Sequence, residues 1–278
     1  MKIAVITDSS AGISKAQAEE YGIYVARMPI TIDGKEYMEE EGISREDLIA
    51  AMRRGSTVGT SQPPLGAMME QFETLLKTYD HIIFLPISSK LSGTFQTVSS
   101  IIDDFDRRIT VIDSKFVAAP LLLLSKDVKQ MVDNGMTPDA IKSHVEQNAD
   151  MFAPLIPEDI QYLKRGGRIT PTAAAIANLL KIIPVLKVAN GEIDLLEKVR
   201  THKKAVKVGV EKVTEGRNPE AYHWVVLDGD CDPKLLQQTI DDVEKITGQT
   251  VIRELLYPIV LAHTGPGSIS IAAYKKII

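Results

Sequence analysis

The sequence predicts an α/β chain in two domains: a parallel-sheet domain over residues 1–153 and an α+β domain over residues 154–278. Three observations carry this. The first half alternates short apolar runs with stretches of helical periodicity, the signature of βαβ units and a parallel sheet. The second half holds Asn190-Gly191 between two strand-like runs, a strong hairpin signal because a type I′ turn needs positive φ at both positions. Finally, 278 residues, 44% hydrophobic and 25% charged, are ample for a buried core and long for a single domain.

The elements follow in order. Residues 2–6 form a first strand that ends in Thr7-Asp8-Ser9-Ser10, and residues 24–32 form a second, closed by Asp33-Gly34. Ser44, with Asp47 three residues on, opens a helix that stops at Gly55. A helix over 64–79, a buried strand over 81–87, a helix over 92–104 and a strand over 109–113 come next. Helical periodicity marks 121–134 and 138–149, with Gly135 between them. In the second half, 162–168 reads as a basic, Gly-rich turn and 172–180 as an Ala-rich helix. The hairpin runs over 182–188 and 193–199. A helix over 203–214, a strand over 224–227, a helix over 233–247 and a strand over 250–255 follow. The Gly-rich stretch from His263 to Gly267 leads into a last helix over 272–276.

Composition excludes several classes. The 32 basic and 37 acidic residues give a net charge of −5, the wrong sign for a dedicated nucleic-acid binder. A single cysteine, Cys231, rules out an internal disulfide framework and a Cys-rich zinc site. The start meets acid at Asp8, unlike a signal peptide. The most apolar stretches, 116–124 and 182–188, fall well short of the roughly 20 residues a membrane span needs. The expectation is a soluble, cytoplasmic protein with no metal site and no cofactor.

Three hydroxyl-rich segments read as junctions leading into a helix: Thr60-Ser61-Gln62-Pro63-Pro64, Ser88-Ser89-Lys90-Leu91-Ser92-Gly93-Thr94, and His263-Thr264-Gly265-Pro266-Gly267-Ser268. The first N–H groups of a helix lack internal partners, so such junctions are either capped by the hydroxyls or used to bind an anion. Each segment alone is more simply a cap; three together, one with a histidine, favour a shared anion site. Asp8 and Asp113 close strands in the manner of catalytic acids, and equally in the manner of turn caps. Enzyme signatures are absent. There is no phosphate loop of the G-x-x-x-x-G-K-[ST] type, no G-x-G-x-x-G after the first strand, no G-x-S-x-G and no H-E-x-x-H.

Taken in order, Thr7-Asp8-Ser9-Ser10, Thr60-Ser61-Gln62-Pro63, Leu91-Ser92-Gly93-Thr94, Asp113-Ser114, Tyr162-Leu163-Lys164-Arg165-Gly166-Gly167-Arg168-Ile169 and His263-Thr264-Gly265-Pro266-Gly267 resemble the motifs of the DegV family over nearly the whole chain. The resemblance implies a two-domain fold with one long-chain fatty acid between the domains. It also implies a non-catalytic carrier that presents the carboxylate to a separate ATP-dependent fatty acid kinase for acyl-phosphate formation. By the same resemblance Thr60, Ser61, Ser92, Gly93, Thr94, His263 and Thr264 hold the carboxylate, and Arg168 faces the head group or the kinase. Expected partners are thus the fatty acid, the kinase and, transiently, a membrane surface, with no nucleic acid. At about 0.8 kcal/mol per buried CH₂, some fifteen methylenes supply on the order of 10 kcal/mol before binding costs. Candidate lining comes from 118–122, Ile156, 176–180 and Ile182. The chain departs from the usual family pattern at Ala118-Ala119-Pro120-Leu121, Tyr257 and Ala262, which bears on the acyl channel more than on the head-group site. The competing readings are a hydrolase or acyltransferase using Ser92 or His263, and a regulatory module for another small carboxylate.

Overall fold

The computed structural model describes residues 1–177 and 182–278. Among them the elements run β1 (Ile3–Asp8), α1 (Lys15–Tyr21), β2 (Tyr24–Ala26), β3 (Pro29–Ile32), β4 (Lys35–Met38), α2 (Arg45–Arg53), β5 (Val58–Thr60), α3 (Leu65–Leu75), β6 (His81–Leu85), α4 (Thr94–Ser99), β7 (Ile109–Val111), α5 (Ala119–Asp133) and α6 (Pro138–Asn148). They continue through β8 (Met151–Ile156), α7 (Gln161–Gly166), α8 (Pro171–Ile176), β9 (Ile183–Ala189), β10 (Glu192–Val199), α9 (His202–Thr214), β11 (Tyr222–Gly229), α10 (Pro233–Thr247), β12 (Val251–Leu255), α11 (Pro258–Thr264) and β13 (Ser268–Lys275).

The fold is mixed α/β. A parallel four-stranded sheet, ordered β2-β1-β6-β7, and a small antiparallel sheet, β4-β3-β5, come from the first part of the chain. The second part builds a mixed six-stranded sheet, β10-β9-β8-β13-β11-β12. The hairpin is present: Asn190 and Gly191 have φ of 51° and 84°, and Ile193 pairs with Val188 beside the turn.

The interior strands β1, β6, β11 and β13 are buried on two faces, and the period of two sorts their side chains. On β1, Ile3 and Val5 face the central core while Ala4 and Ile6 face an outer cluster with Phe72 and Phe84. On β13, Ser270, Ala272 and Tyr274 lie on one side; Ile269, Ile271 and Ala273 pack on the other with Trp224, Val206 and Leu236. The central core therefore lies between the inner faces of the two sheets. Contacts between the two parts close around it. The Arg45 guanidinium donates to the carbonyls of Leu256 and Asp228, at 3.1 and 3.0 Å, and the Tyr162 hydroxyl to the Met52 carbonyl at 3.1 Å. Ser88 Oγ donates to the Gly191 carbonyl at 2.7 Å.

Several expectations need correction. The last element is β13 and not a helix over 272–276, and it lies in the interior of the larger sheet. Its Ala272-Ala273 pair suggests a helix, although Ser268-Ile269-Ser270-Ile271 just before it alternates with the period of a strand. His263 lies on helix α11, whose C-terminal end precedes β13, so that segment is not a helix start. Residues 162–168 are mostly helix α7, ended by Gly167 at a φ of 66°. The strand expected over 24–32 splits at Arg27-Met28 into β2 and β3, which join different sheets. Strand β8 is absent from the sequence reading; it runs over Met151–Ile156 and so spans the expected boundary between residues 153 and 154. The part of the Ala-rich helix at 178–180 lies outside the described residues.

Candidate functional site

A narrow cavity opens along the inner face of the six-stranded sheet. Its floor is Met151, Ala153 and Leu155 of β8, Val188, Ile193, Leu227 and Ser270. Its other walls include Met28, Ile87, Val117, Ala118 and Pro120 from the first part of the chain, and Leu256, Ile259 and Val260 near α11. Polar side chains gather in the same cavity: Thr60, Ser61, Gln62, Ser92, Arg168, His263 and Thr264. An apolar cavity with a cluster of polar side chains suits an amphiphile.

Each polar group is placed by its element. Thr60 ends β5, held by pairing with Ile30, and the Ser61 N–H donates to the Pro29 carbonyl at 3.2 Å. Thr60 Oγ1 lies 2.7 Å from His263 Nε2, so this hydroxyl and imidazole share one hydrogen bond. His263 sits on the last turn of α11 against α7. A Cβ built on Gly166 falls 2.3 Å from His263 Nδ1, so only glycine leaves room for the ring. Ser92 Oγ pairs with Thr94 Oγ1 at 2.9 Å. Thr94 is fully buried and Gly93 is exposed; neither is on the cavity wall, unlike the other expected head-group residues. Thr264 Oγ1 accepts from Ser268 Oγ at 3.1 Å.

Arg168 reaches the cavity from the loop after α7. Its Nε donates to the Leu91 carbonyl at 3.3 Å and its Nη1 to the Gly166 carbonyl. Burial, with the neighbouring Arg168 charge as a smaller cause, pushes His263 down to about 4. The imidazole is therefore neutral at pH 7, with one N–H to donate. Arg165 does not reach the site; its guanidinium stacks 4.8 Å over the Tyr162 ring.

The two strand-end aspartates are turn caps. Asp8 accepts from the Ser10 N–H and hydroxyl at 3.1 and 2.5 Å, and from the Ile87 N–H at 2.7 Å. It is fully buried, and desolvation lifts it to about 6 against the lowering effect of those bonds. Asp113 accepts from Ser89 Oγ at 2.5 Å and the Lys115 N–H at 3.2 Å. A further buried carboxylate, Glu39, accepts from the Ile259 N–H at 3.3 Å near the start of α11, and burial lifts it to about 7. Burial pushes the Cys231 thiol up to about 12, so it stays protonated.

Of the expected lining, Ala118 and Pro120 are on the wall. Ile156 faces the other side of the sheet, in the cluster around Trp224. Leu121 and Leu122 are core residues rather than wall, and Leu179 and Leu180 lie outside the described residues. Sequence reasoning missed Gln62, Ser270 and the β8 residues. The alternation of Met151, Ala153 and Leu155 was their available signal, obscured by Phe152 and Pro154 between them. Among the described residues no group of three His, Cys, Asp or Glu side chains is arranged to hold a metal, and no helix is long and apolar enough to cross a membrane.

Comparison with known proteins places these features. The family model described as uncharacterised protein, DegV family, matches residues 2–276. A DegV domain-containing protein of Caldanaerobacter subterraneus subsp. tengcongensis is 34% identical over 208 residues, 74% of each chain. Among solved structures, a fatty acid binding DegV family protein from Streptococcus agalactiae aligns with a TM-score of 0.87 and 28% identity over 99% of both chains. A DegV family protein from Thermus thermophilus, described by its fatty acid binding, aligns with a TM-score of 0.88 and 25% identity over 99% of this chain and 100% of that one.

Proposed function

This chain belongs to the DegV family, and from that premise we propose that it binds one long-chain fatty acid and presents its carboxylate to a separate ATP-dependent kinase. The observation that carries this is the polar cluster of Thr60, Ser61, Ser92, Arg168, His263 and Thr264 in a mostly apolar cavity. The residues 1–153 and 154–278 are the two bodies whose inner faces hold the acyl chain between them.

A carboxylate inside a protein needs hydrogen bonds or a counter-charge. Hydroxyls of Ser61, Ser92 and Thr264 supply the first, together with the Thr60 hydroxyl, whose proton is free for the carboxylate when the neutral His263 donates its Nε2–H to Thr60 Oγ1; the Arg168 guanidinium supplies the second. Thr94 supports the site by holding Ser92 through its hydroxyl and its N–H. In the proposed reaction one carboxylate oxygen attacks the terminal phosphorus of ATP. An O–P bond forms as the bond to ADP breaks, giving acyl phosphate and ADP. Phosphoryl chemistry belongs to the kinase; this chain holds and orients the nucleophile. The position is in the cytoplasm, with transient membrane contact when lipid is exchanged.

In the competing hydrolase reading Ser92 or His263 does the chemistry; Ser92 Oγ pairs with Thr94 Oγ1, and a His263 acting as general base would become an imidazolium, which burial and Arg168 both oppose. The test is direct. Lipid released from the denatured protein is identified by mass spectrometry, and the Ser92→Ala variant is assayed for kinase-dependent acyl-phosphate formation. One fatty acid per chain and a weakened variant are expected. No bound lipid, with no thermal shift on adding oleate or palmitate, would sink the proposal.

A further inference from the structure

Ala118 stands in the cavity wall with a backbone conformation that belongs to glycine. Its φ of 58° and ψ of −152° lie in a region that is essentially glycine-only, where an L side chain is strained. Eight described non-glycine residues have positive φ, and the other seven all carry polar or charged side chains. Ala118 alone is apolar; it is also buried and lines the cavity.

Its surroundings impose the conformation. The Ala118 N–H donates to the Ser10 carbonyl at 2.9 Å, and its carbonyl accepts from the Leu121 N–H at 2.8 Å at the start of α5. The loop before it is fastened by the Asp113 cap and by the Ser88 N–H donating to the Phe116 carbonyl at 2.9 Å. Glycine would satisfy the same bonds without strain. What alanine adds is one methyl group on a residue of the cavity wall.

We propose that Ala118 is a specificity-determining residue, its methyl narrowing the channel so that a straight saturated chain is taken in preference to one widened by a cis double bond or a methyl branch. This rests on the fatty-acid reading above. One methyl or methylene in an apolar pocket discriminates by about 10–200-fold, which sets the expected scale.

The test uses the full chain, stripped of lipid, with palmitate, oleate and 12-methyltetradecanoate as competing ligands. The wild type is expected to bind palmitate about ten-fold or more tighter than the other two. Ala118→Gly is expected to bring the three within a few-fold of one another without lowering Tm. As a control, Ala153→Gly alters a wall residue on β8 in ordinary strand backbone and is expected to lower Tm. A wild type that prefers oleate, an unchanged preference in Ala118→Gly, or a Tm loss equal to that of Ala153→Gly would each overturn the inference. Failure of the wild type to bind any of the three acids would instead overturn the fatty-acid reading itself.

Discussion

Replacing His263 by Gln should change how stability depends on acid. In the folded chain His263 is lowered from 6.5 to about 4, chiefly by burial and secondarily by Arg168. The neutral ring is the favoured form, so its contribution to stability is complete above pH 6.5 and is lost as pH falls through 4. A shift of one unit corresponds to 1.36 kcal/mol, so by pH 4 the wild type should have lost about 3 kcal/mol from this group alone. The variant has no such group. Urea denaturation of both proteins across pH 4–8 yields the difference in unfolding free energy, from which the other titrating groups cancel. The difference should move by about 3 kcal/mol against the wild type between pH 7 and 4. A bound carboxylate beside the ring would raise its pKa, so a palmitate complex of the wild type should lose less. A flat difference would refute the buried, neutral histidine. Equal acid loss with and without palmitate would refute the placement of the carboxylate at His263.

Three other perturbations probe neighbouring links. Thr60→Val keeps the shape but strands His263 Nε2 and removes a hydroxyl from the head group; fatty-acid affinity measured by calorimetry should fall about ten-fold or more, as a hydrogen bond to a charged group contributes about 1.5–3 kcal/mol. Gly166→Ala drives a methyl group into His263 Nδ1, and the displaced ring should show as weakened palmitate binding and a loss of about 1–3 kcal/mol in urea unfolding. Glu39 is raised from 4.5 to about 7 mainly by burial, so its contribution is present below pH 4.5 and lost as pH rises through 7. Glu39→Gln should therefore gain on the wild type between pH 5 and 8 by urea denaturation, and an unchanged difference over that range would contradict the raised pKa.

Local signals were legible wherever the chemistry is local. Ser44 caps α2 by accepting from the Asp47 N–H, and Asn190-Gly191 makes its turn, because a few adjacent residues determine each outcome. Thr60, Ser61, Ser92, Arg168, His263 and Thr264 could be picked out as residue types and motifs. Strands buried on both faces were legible where they are unbroken apolar runs, as in β1 and β6, and not in β8 and β13. In β13 the short Ser268-Ile269-Ser270-Ile271 alternation runs straight into Ala272-Ala273, a pair that favours helix. In β8, Ala153 and Pro154 interrupt the run of strand formers.

The sequence by itself determined the mixed α/β class, the hairpin, the family and the short list of polar residues, since periodicity, turn chemistry and ordered motifs are properties of neighbours along the chain. Only the tertiary structure decided that His263 meets Thr60, 203 residues away, at 2.7 Å. It likewise decided that Ile156 turns from the cavity while Leu155 faces it, and that Asp8 caps a turn behind the wall. The reason is physical. Burial, strand register and the pKa shifts that follow from them arise between segments brought together only when the two sheets close on their common core.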